Sequence, residues 1–86
     1  MTAYSRDDLR AAYLAELARI APEADLASLD PAADVREELD IDSMDVLHLV
    51  TALHARLGVD VPERDYVRVT TLDGAVAYLA TRLGAT

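Results

Sequence analysis

Ser43 lies in the most acidic stretch of the sequence and is the residue best placed to do chemistry. From residue 34 to residue 45 there are six carboxylates and one cation, Arg36, so this stretch contributes −5 of the total net charge of −8. A solvated loop that leads into a helix would also be acidic, because carboxylates are favoured near a positive helix terminus. The serine at the loop-to-helix junction adds another interpretation, since a helix N-terminus favours an attached phosphate.

Ser43 is a poor candidate for a catalytic nucleophile, because that role needs a base within hydrogen-bond reach. The two histidines are His48 and His54. On an ideal helix His48 lies about 140° around the axis from Ser43, and His54 lies roughly 16 Å further along it. Neither histidine can activate the serine, so we expect a protein that is not an enzyme.

A metal site is also disfavoured. Asp40, Asp42 and Asp45 could hold a divalent ion loosely, but the stretch lacks the glycine and the bidentate glutamate of an EF-hand loop. His48 and His54 are six residues apart and do not share a helix face, which argues against a zinc pair. We predict that both histidines are surface residues and that the protein binds no metal.

Helical spacing predicts the elements that place Ser43. A first helix is predicted over about residues 6–20, with Ser5 as N-cap, Asp8 as its capping-box partner and an end near Ala21 before Pro22. A long connection over residues 22–42 follows, with a helical turn around residues 35–39. Such a loop is more often functional than idle in a compact domain.

The remaining helices follow from the same spacing. A second long helix is predicted over about residues 43–57, and Gly58 stops it. Its predicted core stripe is Leu47, Val50, Leu53 and Leu57. A short third helix runs from Pro62 to about Arg68, with Tyr66 and Val69 facing inward. Thr70 or Thr71 then caps a last helix that ends at Gly84, with an apolar stripe of Leu72, Val76, Leu79 and Leu83. These elements predict an all-α fold, a small four-helix bundle of three longer helices and one short one.

Composition limits the partners. The chain has 86 residues, is 52% hydrophobic and contains no cysteine, and its eight basic residues are scattered arginines. These numbers predict one packed domain over residues 1–86, without a thiol nucleophile or a disulfide. Clustered cations for nucleic acid or anionic lipid are lacking, and no apolar run could span a bilayer or act as a signal peptide. We therefore expect a soluble, cytoplasmic monomer that binds neither nucleic acid nor membrane.

The stretch from Glu38 to Asp45 resembles the attachment motif of acyl carrier proteins, usually written Asp-Leu-Gly-x-Asp-Ser-Leu. Gly58–Pro62 resembles the Gly-Ile-x-Ile-Pro connection of that family, and Val69–Leu72 resembles its Ile-x-Thr-Val step into the final helix. The resemblance covers about residues 34–80 closely, and the first helix by pattern alone.

The resemblance implies that a phosphopantetheinyl transferase attaches 4′-phosphopantetheine from coenzyme A to Ser43. The thiol of this arm would carry acyl groups as thioesters, which fits a chain without cysteine. Partners would be this transferase, an acyl- or aminoacyl-loading ligase and downstream acyl-processing enzymes. They would recognise the protein through residues beside the arm, for which the candidates are Glu38, Asp42, Met44, Asp45 and His48.

The chain departs from the family pattern in informative places. Asp40 replaces the usual glycine, which we expect to demand less backbone freedom there and to add charge beside the serine. His48 and His54 stand where fatty-acid carriers commonly have glutamate, so the acidic patch ends after the first turn of the second long helix. This difference favours a carrier for a dedicated, specialised enzyme set over one for housekeeping fatty-acid synthesis.

The resemblance also implies an acyl pocket lined by Leu53, Val61, Tyr66, Val69 and Val76. Tyr66 stands where related carriers often have a small residue, and its ring would fill the volume that a long acyl chain needs. Short or polar cargo is therefore expected. Two alternatives remain open, namely an aminoacyl or peptidyl carrier and a helical interaction module that is never modified.

Overall fold

The computed structural model describes residues 4–85, and within them the protein is all-α, without a β-strand. The fold therefore confirms the predicted helical bundle. The elements in chain order are α1 (Arg6–Ile20), a first 3₁₀ turn (Leu26–Ser28), α2 (Val35–Glu38), α3 (Ser43–Leu57), a 3₁₀ helix (Glu63–Val69) and α4 (Leu72–Leu83).

Local capping signals determine where α1 begins and ends. The Asp8 amide donates to the Ser5 hydroxyl over 3.1 Å, and the Ser5 amide donates to the Asp8 carboxylate over 2.9 Å. This capping box satisfies two amides that a helix start leaves without partners. The helix ends at Ala21, immediately before Pro22, as its sequence predicts.

Helix α3 spans the predicted residues, and three of its four predicted core residues, Val50, Leu53 and Leu57, are buried. The residues that face the core are Val46, Leu49, Val50, Leu53 and Leu57. Leu47 was predicted to lie in this stripe and is 38% exposed, so that assignment is wrong. The reason is geometric, because Leu47 lies about 100° around the helix from Val46, at the edge of the stripe. Gly58 ends the helix with a φ of 74°, as predicted.

The C-terminal elements also follow the prediction, with one change of helix type. The predicted short third helix is a 3₁₀ helix over Glu63–Val69, in which Val69 is fully buried and Tyr66 is half-buried against the core. Thr71 caps α4, accepting a hydrogen bond from the Gly74 amide over 3.0 Å. Gly84 ends α4 in the left-handed conformation, with a φ of 66°.

Helix α1 packs against both α3 and α4. Two polar contacts also join α1 to neighbouring elements. The buried Tyr13 hydroxyl donates to the Val69 carbonyl over 2.7 Å, which ties α1 to the end of the 3₁₀ helix. Arg56 of α3 donates to the buried Glu16 carboxylate of α1 over 2.9 Å. Charge on a buried group is tolerated when it is paired in this way.

The long connection before α3 is held against the start of α4 by backbone hydrogen bonds. The Val35 amide donates to the Thr70 carbonyl over 2.8 Å, and the Asp73 amide donates to the Pro31 carbonyl over 2.9 Å. Val35 itself is fully buried and anchors the short helix α2. These contacts fix the path by which the chain reaches Ser43.

Candidate functional site

Ser43 is exposed and is the first residue of α3. Asp42 caps the helix and forms a reciprocal capping box with Asp45, in which the Asp45 amide donates to Asp42 Oδ1 over 3.0 Å and the Asp42 amide to Asp45 Oδ2 over 3.2 Å. The sequence analysis placed both carboxylates near the helix terminus but missed this box, although the three-residue spacing that identified Ser5 and Asp8 recurs here.

Two backbone amides at this helix start are left for another group. Within the described part of the chain, the amides of Ser43 and Met44 have no hydrogen-bond partner, whereas those of Asp42 and Asp45 are taken by the capping box. Free amides at the positive end of a helix bind phosphate well. The residues around the Ser43 hydroxyl therefore fit a phosphodiester on that oxygen.

The predicted recognition residues lie on both sides of Ser43. Met44 is 55% exposed and Asp42 is exposed, while Asp45 is half-buried by the chain that precedes the helix. His48 is exposed about one turn further along α3, and Glu38 is the exposed last residue of α2. The first turn of α3 thus brings three of the five residues together with Ser43. Glu38 precedes them across the bend at residues 39–41.

The expectation for Asp40 is wrong. Asp40 has a φ of 52°, in the left-handed region, although it replaces the glycine that such a backbone favours. Within residues 4–85 it is the one residue other than glycine with a positive φ. Aspartate tolerates this conformation better than most residues. The bend before Ser43 therefore adopts a left-handed backbone conformation without a glycine, at some cost in strain.

Both histidines lie on α3, after Ser43 in the chain. His48 and His54 are both exposed, as predicted. Among the described side chains, no group of three or more histidines and carboxylates is arranged to hold a metal ion. No helix within residues 4–85 has the length and apolar character needed to cross a membrane.

The five residues predicted to line an acyl pocket lie in or against the core. Leu53 and Val69 are fully buried, and Val61 and Val76 are nearly so. Tyr66 is half-buried against them. Their side chains are thus close-packed in this structure, and their role in holding an acyl chain stays a prediction.

An open groove beside the start of α3 is not predicted from the sequence. We call it the acidic groove; it has a volume of about 700 Å³ and lies between the end of α1, the following loop and the segment before α3. Its apolar lining residues are Ile20, Ala21, Pro22, Ala24, Leu29, Leu39 and Ile41. Its carboxylates are Glu23, Asp25, Glu38, Asp40 and Asp45. The isolated apolar residues in the polar connection before α3 were the sequence feature that could have indicated this groove.

Comparison with known proteins agrees with this geometry. Residues 11–79 match the family described as phosphopantetheine attachment site. The chain is 33% identical over 55 residues to an acyl carrier protein of Rubrobacter xylanophilus, which covers 64% of this chain and 68% of the relative.

Two further relatives extend the comparison. The polyketide-8 synthase acyl carrier protein 2 of Streptomyces avermitilis is 32% identical over 85 residues, covering 99% of this chain and 92% of that protein. An acyl carrier protein of Picosynechococcus is 32% identical over 63 residues, covering 73% of this chain and 78% of the relative. Because the family match spans most of the sequence, this chain belongs to the acyl carrier proteins, carriers rather than catalysts, whose prosthetic group is covalent 4′-phosphopantetheine.

Proposed function

We propose that Ser43 is the attachment residue of this carrier. The observation that carries the proposal is the exposed Ser43 hydroxyl beside the two amides, of Ser43 and Met44, that have no partner among the described residues. In the attachment reaction the Ser43 oxygen bonds to the phosphorus of the phosphopantetheine in coenzyme A. The hydroxyl loses its proton, and adenosine 3′,5′-bisphosphate leaves. The attached arm supplies a thiol that holds acyl groups as thioesters.

The residues around Ser43 have separate parts in this function. The Ser43 and Met44 amides would donate to a phosphate attached to Ser43 and would stabilise its charge. Asp42 and Asp45 each accept a hydrogen bond from the other's amide, which reduces their repulsion of that phosphate. Ser43 needs no base of its own, because the transferase supplies the catalysis.

Intact mass spectrometry tests the assignment of Ser43. The protein is incubated with coenzyme A, Mg²⁺ and a broad-specificity phosphopantetheinyl transferase. We expect the wild-type protein to gain one phosphopantetheine. Ser43→Ala should gain none, while Ser28→Ala, which changes an exposed serine of the first 3₁₀ turn, should gain one. A helical interaction module that is never modified would gain nothing in any form, and this result would overturn the proposal.

We infer that partner enzymes contact the first turns of α3 and the end of α2, through Glu38, Asp42, Met44, Asp45 and His48. The exposed apolar side chain of Met44 suits docking with several enzymes, because methionine adapts to different surfaces. The acidic patch ends at Asp45, since the rest of α3 has two exposed histidines and no carboxylate. The short acidic patch supports the inference that the carrier serves a dedicated set of enzymes in a specialised pathway.

Enzyme kinetics with the holo protein test this surface. We expect Met44→Ser to raise the KM of a partner enzyme for the carrier and to leave the fold intact. Val67→Ser is the matched control, because Val67 is 66% exposed on the 3₁₀ helix. Housekeeping fatty-acid enzymes should turn over the loaded protein poorly. Turnover comparable to that of a fatty-acid carrier would contradict the specialised role.

We further infer that the cargo is short or polar. The predicted pocket residues Leu53, Val61, Val69 and Val76 are close-packed, and the half-buried Tyr66 ring adds to the volume that a long chain would have to displace. A graded series of acyl chains on the arm tests this inference. Long chains should shift the core NMR signals of Leu53, Val61 and Val76 less than in fatty-acid carriers, and equally large shifts would refute it. An aminoacyl or peptidyl cargo stays open as an alternative within the same class.

A further inference from the structure

We propose that the acidic groove is a cargo subsite that holds an amine-bearing, positively charged acyl group on the arm of Ser43. This proposal rests on the attachment of the arm to Ser43. The groove reaches Ile41, two residues before the serine, and includes Asp45, two residues after it. The groove therefore borders the start of the helix that carries Ser43, and a group tethered to this residue would start next to it.

The apolar floor of the groove suits the carbon chain of a short acyl group. Ile20, Leu29, Leu39 and Ile41 are each half-buried and pack against the core. All four residues line the groove, so a chain laid on their exposed parts would remove apolar area from water. The volume of about 700 Å³ lies within the range of small-molecule sites. This floor alone would accept a neutral chain as well.

The negative charge of the groove would favour some acyl groups over others. Five carboxylates line the groove, and none of its described lining residues is an arginine or a histidine. The two arginines nearest in sequence to the ends of the groove are engaged elsewhere. Arg36 binds Asp34 over 2.7 Å, and Arg19 lies 3.7 Å from Glu16. The carboxylates of the groove are therefore not neutralised from within the described chain.

Helix α1 adds to the negative potential. Its last residue, Ile20, and its cap, Ala21, both line the groove, so the carbonyl end of a 15-residue helix faces this side. The carbonyl end of a helix dipole favours a cation. An ammonium group would be attracted by both the helix end and the carboxylates of the groove, whereas a carboxylate group would be repelled by both. A neutral group would gain no electrostatic attraction from either.

Three matched cargoes test the proposal on the full chain. β-Alanyl, butyryl and succinyl groups differ at the chain end, which is an ammonium, a methyl or a carboxylate. Each is joined to the arm by an amide in place of the thioester, so that it survives the measurement, and is attached to the protein by the transferase. Intact mass first confirms that each sample carries one loaded arm. A failure at that step contradicts the attachment to Ser43 and is thereby distinguished from a failure of the groove proposal.

Backbone amide NMR shifts then report where the cargo lies. We expect the β-alanyl form to shift the signals of Leu29, Leu39 and Ile41 most, the butyryl form less and the succinyl form least. Raising the ionic strength from about 0.01 M to about 1 M shortens the Debye length from roughly 30 Å to roughly 3 Å and should remove most of this difference. Glu23→Gln should also reduce it, whereas Glu63→Gln, an exposed carboxylate outside the groove, should not.

Other results would overturn the proposal. Equal shifts in the three forms would show that the charge of the cargo does not determine its binding in the groove. Larger shifts at Leu53, Val61 and Val76 than at the groove would place the cargo in the core pocket.

Discussion

Asp42 and Asp45 hydrogen-bond to each other's backbone amides across the first turn of α3, over 3.2 Å and 3.0 Å. This pair of hydrogen bonds fixes the start of the helix. It also leaves the amides of the two residues between them, Ser43 and Met44, for the phosphate that we propose is attached here. The two carboxylates that cap the helix are thus also among the residues through which we propose that partner enzymes bind.

Removal of the cap should destabilise the protein. We expect Asp42→Ala to lower the free energy of unfolding by about 1 kcal/mol, because the Asp45 amide loses its acceptor. Urea denaturation followed by circular dichroism measures this change. Asp60→Ala is the control, since Asp60 is exposed in the connection after α3. An equal loss in both variants would show that the cap contributes nothing specific.

Tyr13 should make the fold sensitive to alkali. Burial raises the pKa of Tyr13 above the ordinary tyrosine value of about 10, and the nearby Asp34 adds to the increase. The folded state therefore favours the neutral hydroxyl, so its contribution to stability is complete below about pH 10 and is lost as the pH rises above that value.

The variant Tyr13→Phe tests both roles of this hydroxyl. At neutral pH it should lose about 1–3 kcal/mol of unfolding free energy, because the buried Val69 carbonyl loses its donor. Between about pH 9 and about pH 11 its stability should fall less steeply than that of the wild type. Parallel pH profiles for the two proteins would contradict this prediction.

Asp40 offers a test of backbone strain beside the site. Its φ of 52° is open to glycine and tolerable for aspartate, but it is unfavourable for a β-branched residue. We expect Asp40→Gly to stay close to wild-type stability, and Asp40→Val to lose about 1–2 kcal/mol. Thermal unfolding of the two variants measures the difference. Equal stability would mean that the bend relaxes when the residue changes.

The ion pair between Glu16 and Arg56 should couple α1 to α3. The Glu16 side chain is 9% exposed and that of Arg56 is 46% exposed, so the pair is only partly screened by water. A double-mutant cycle with Glu16→Gln and Arg56→Gln should give a coupling energy of about 0.5–1 kcal/mol that decreases with added salt. A coupling energy near zero would mean that each side chain acts alone.

Much of this fold is readable from the sequence because its signals are local. The caps at Ser5 and Thr71, Pro22 after the first helix and Gly58 each act within a few residues of the boundary that they determine. The resemblance around Ser43 was equally local. Leu47 shows the limit of spacing alone, because several rotations of a helix satisfy intervals of three and four, and tertiary packing selects one.

The remaining features depend on contacts between distant segments. The acidic groove is lined by residues from both ends of the long connection, whose middle is held against the start of α4 by backbone bonds from Val35 to Thr70 and from Asp73 to Pro31. Backbone bonds of this kind have no side-chain pattern that a sequence could display. The φ of Asp40, by contrast, is a local feature, because Asp40 follows the C-cap of α2 and the Ile41 amide donates to the Arg36 carbonyl over 3.2 Å around it.

The 3₁₀ helix is fastened at two points by tyrosine hydroxyls from different helices. Tyr13 of α1 binds the Val69 carbonyl over 2.7 Å, and Tyr78 of α4 binds the Asp65 carboxylate over 2.8 Å. An acyl chain that entered between this helix and α3 would have to stretch or break these two hydrogen bonds. It would also have to displace the Tyr66 ring. Because both hydrogen bonds oppose the opening of the bundle at this helix, we expect cargo on the arm proposed for Ser43 to bind on the exterior of the bundle.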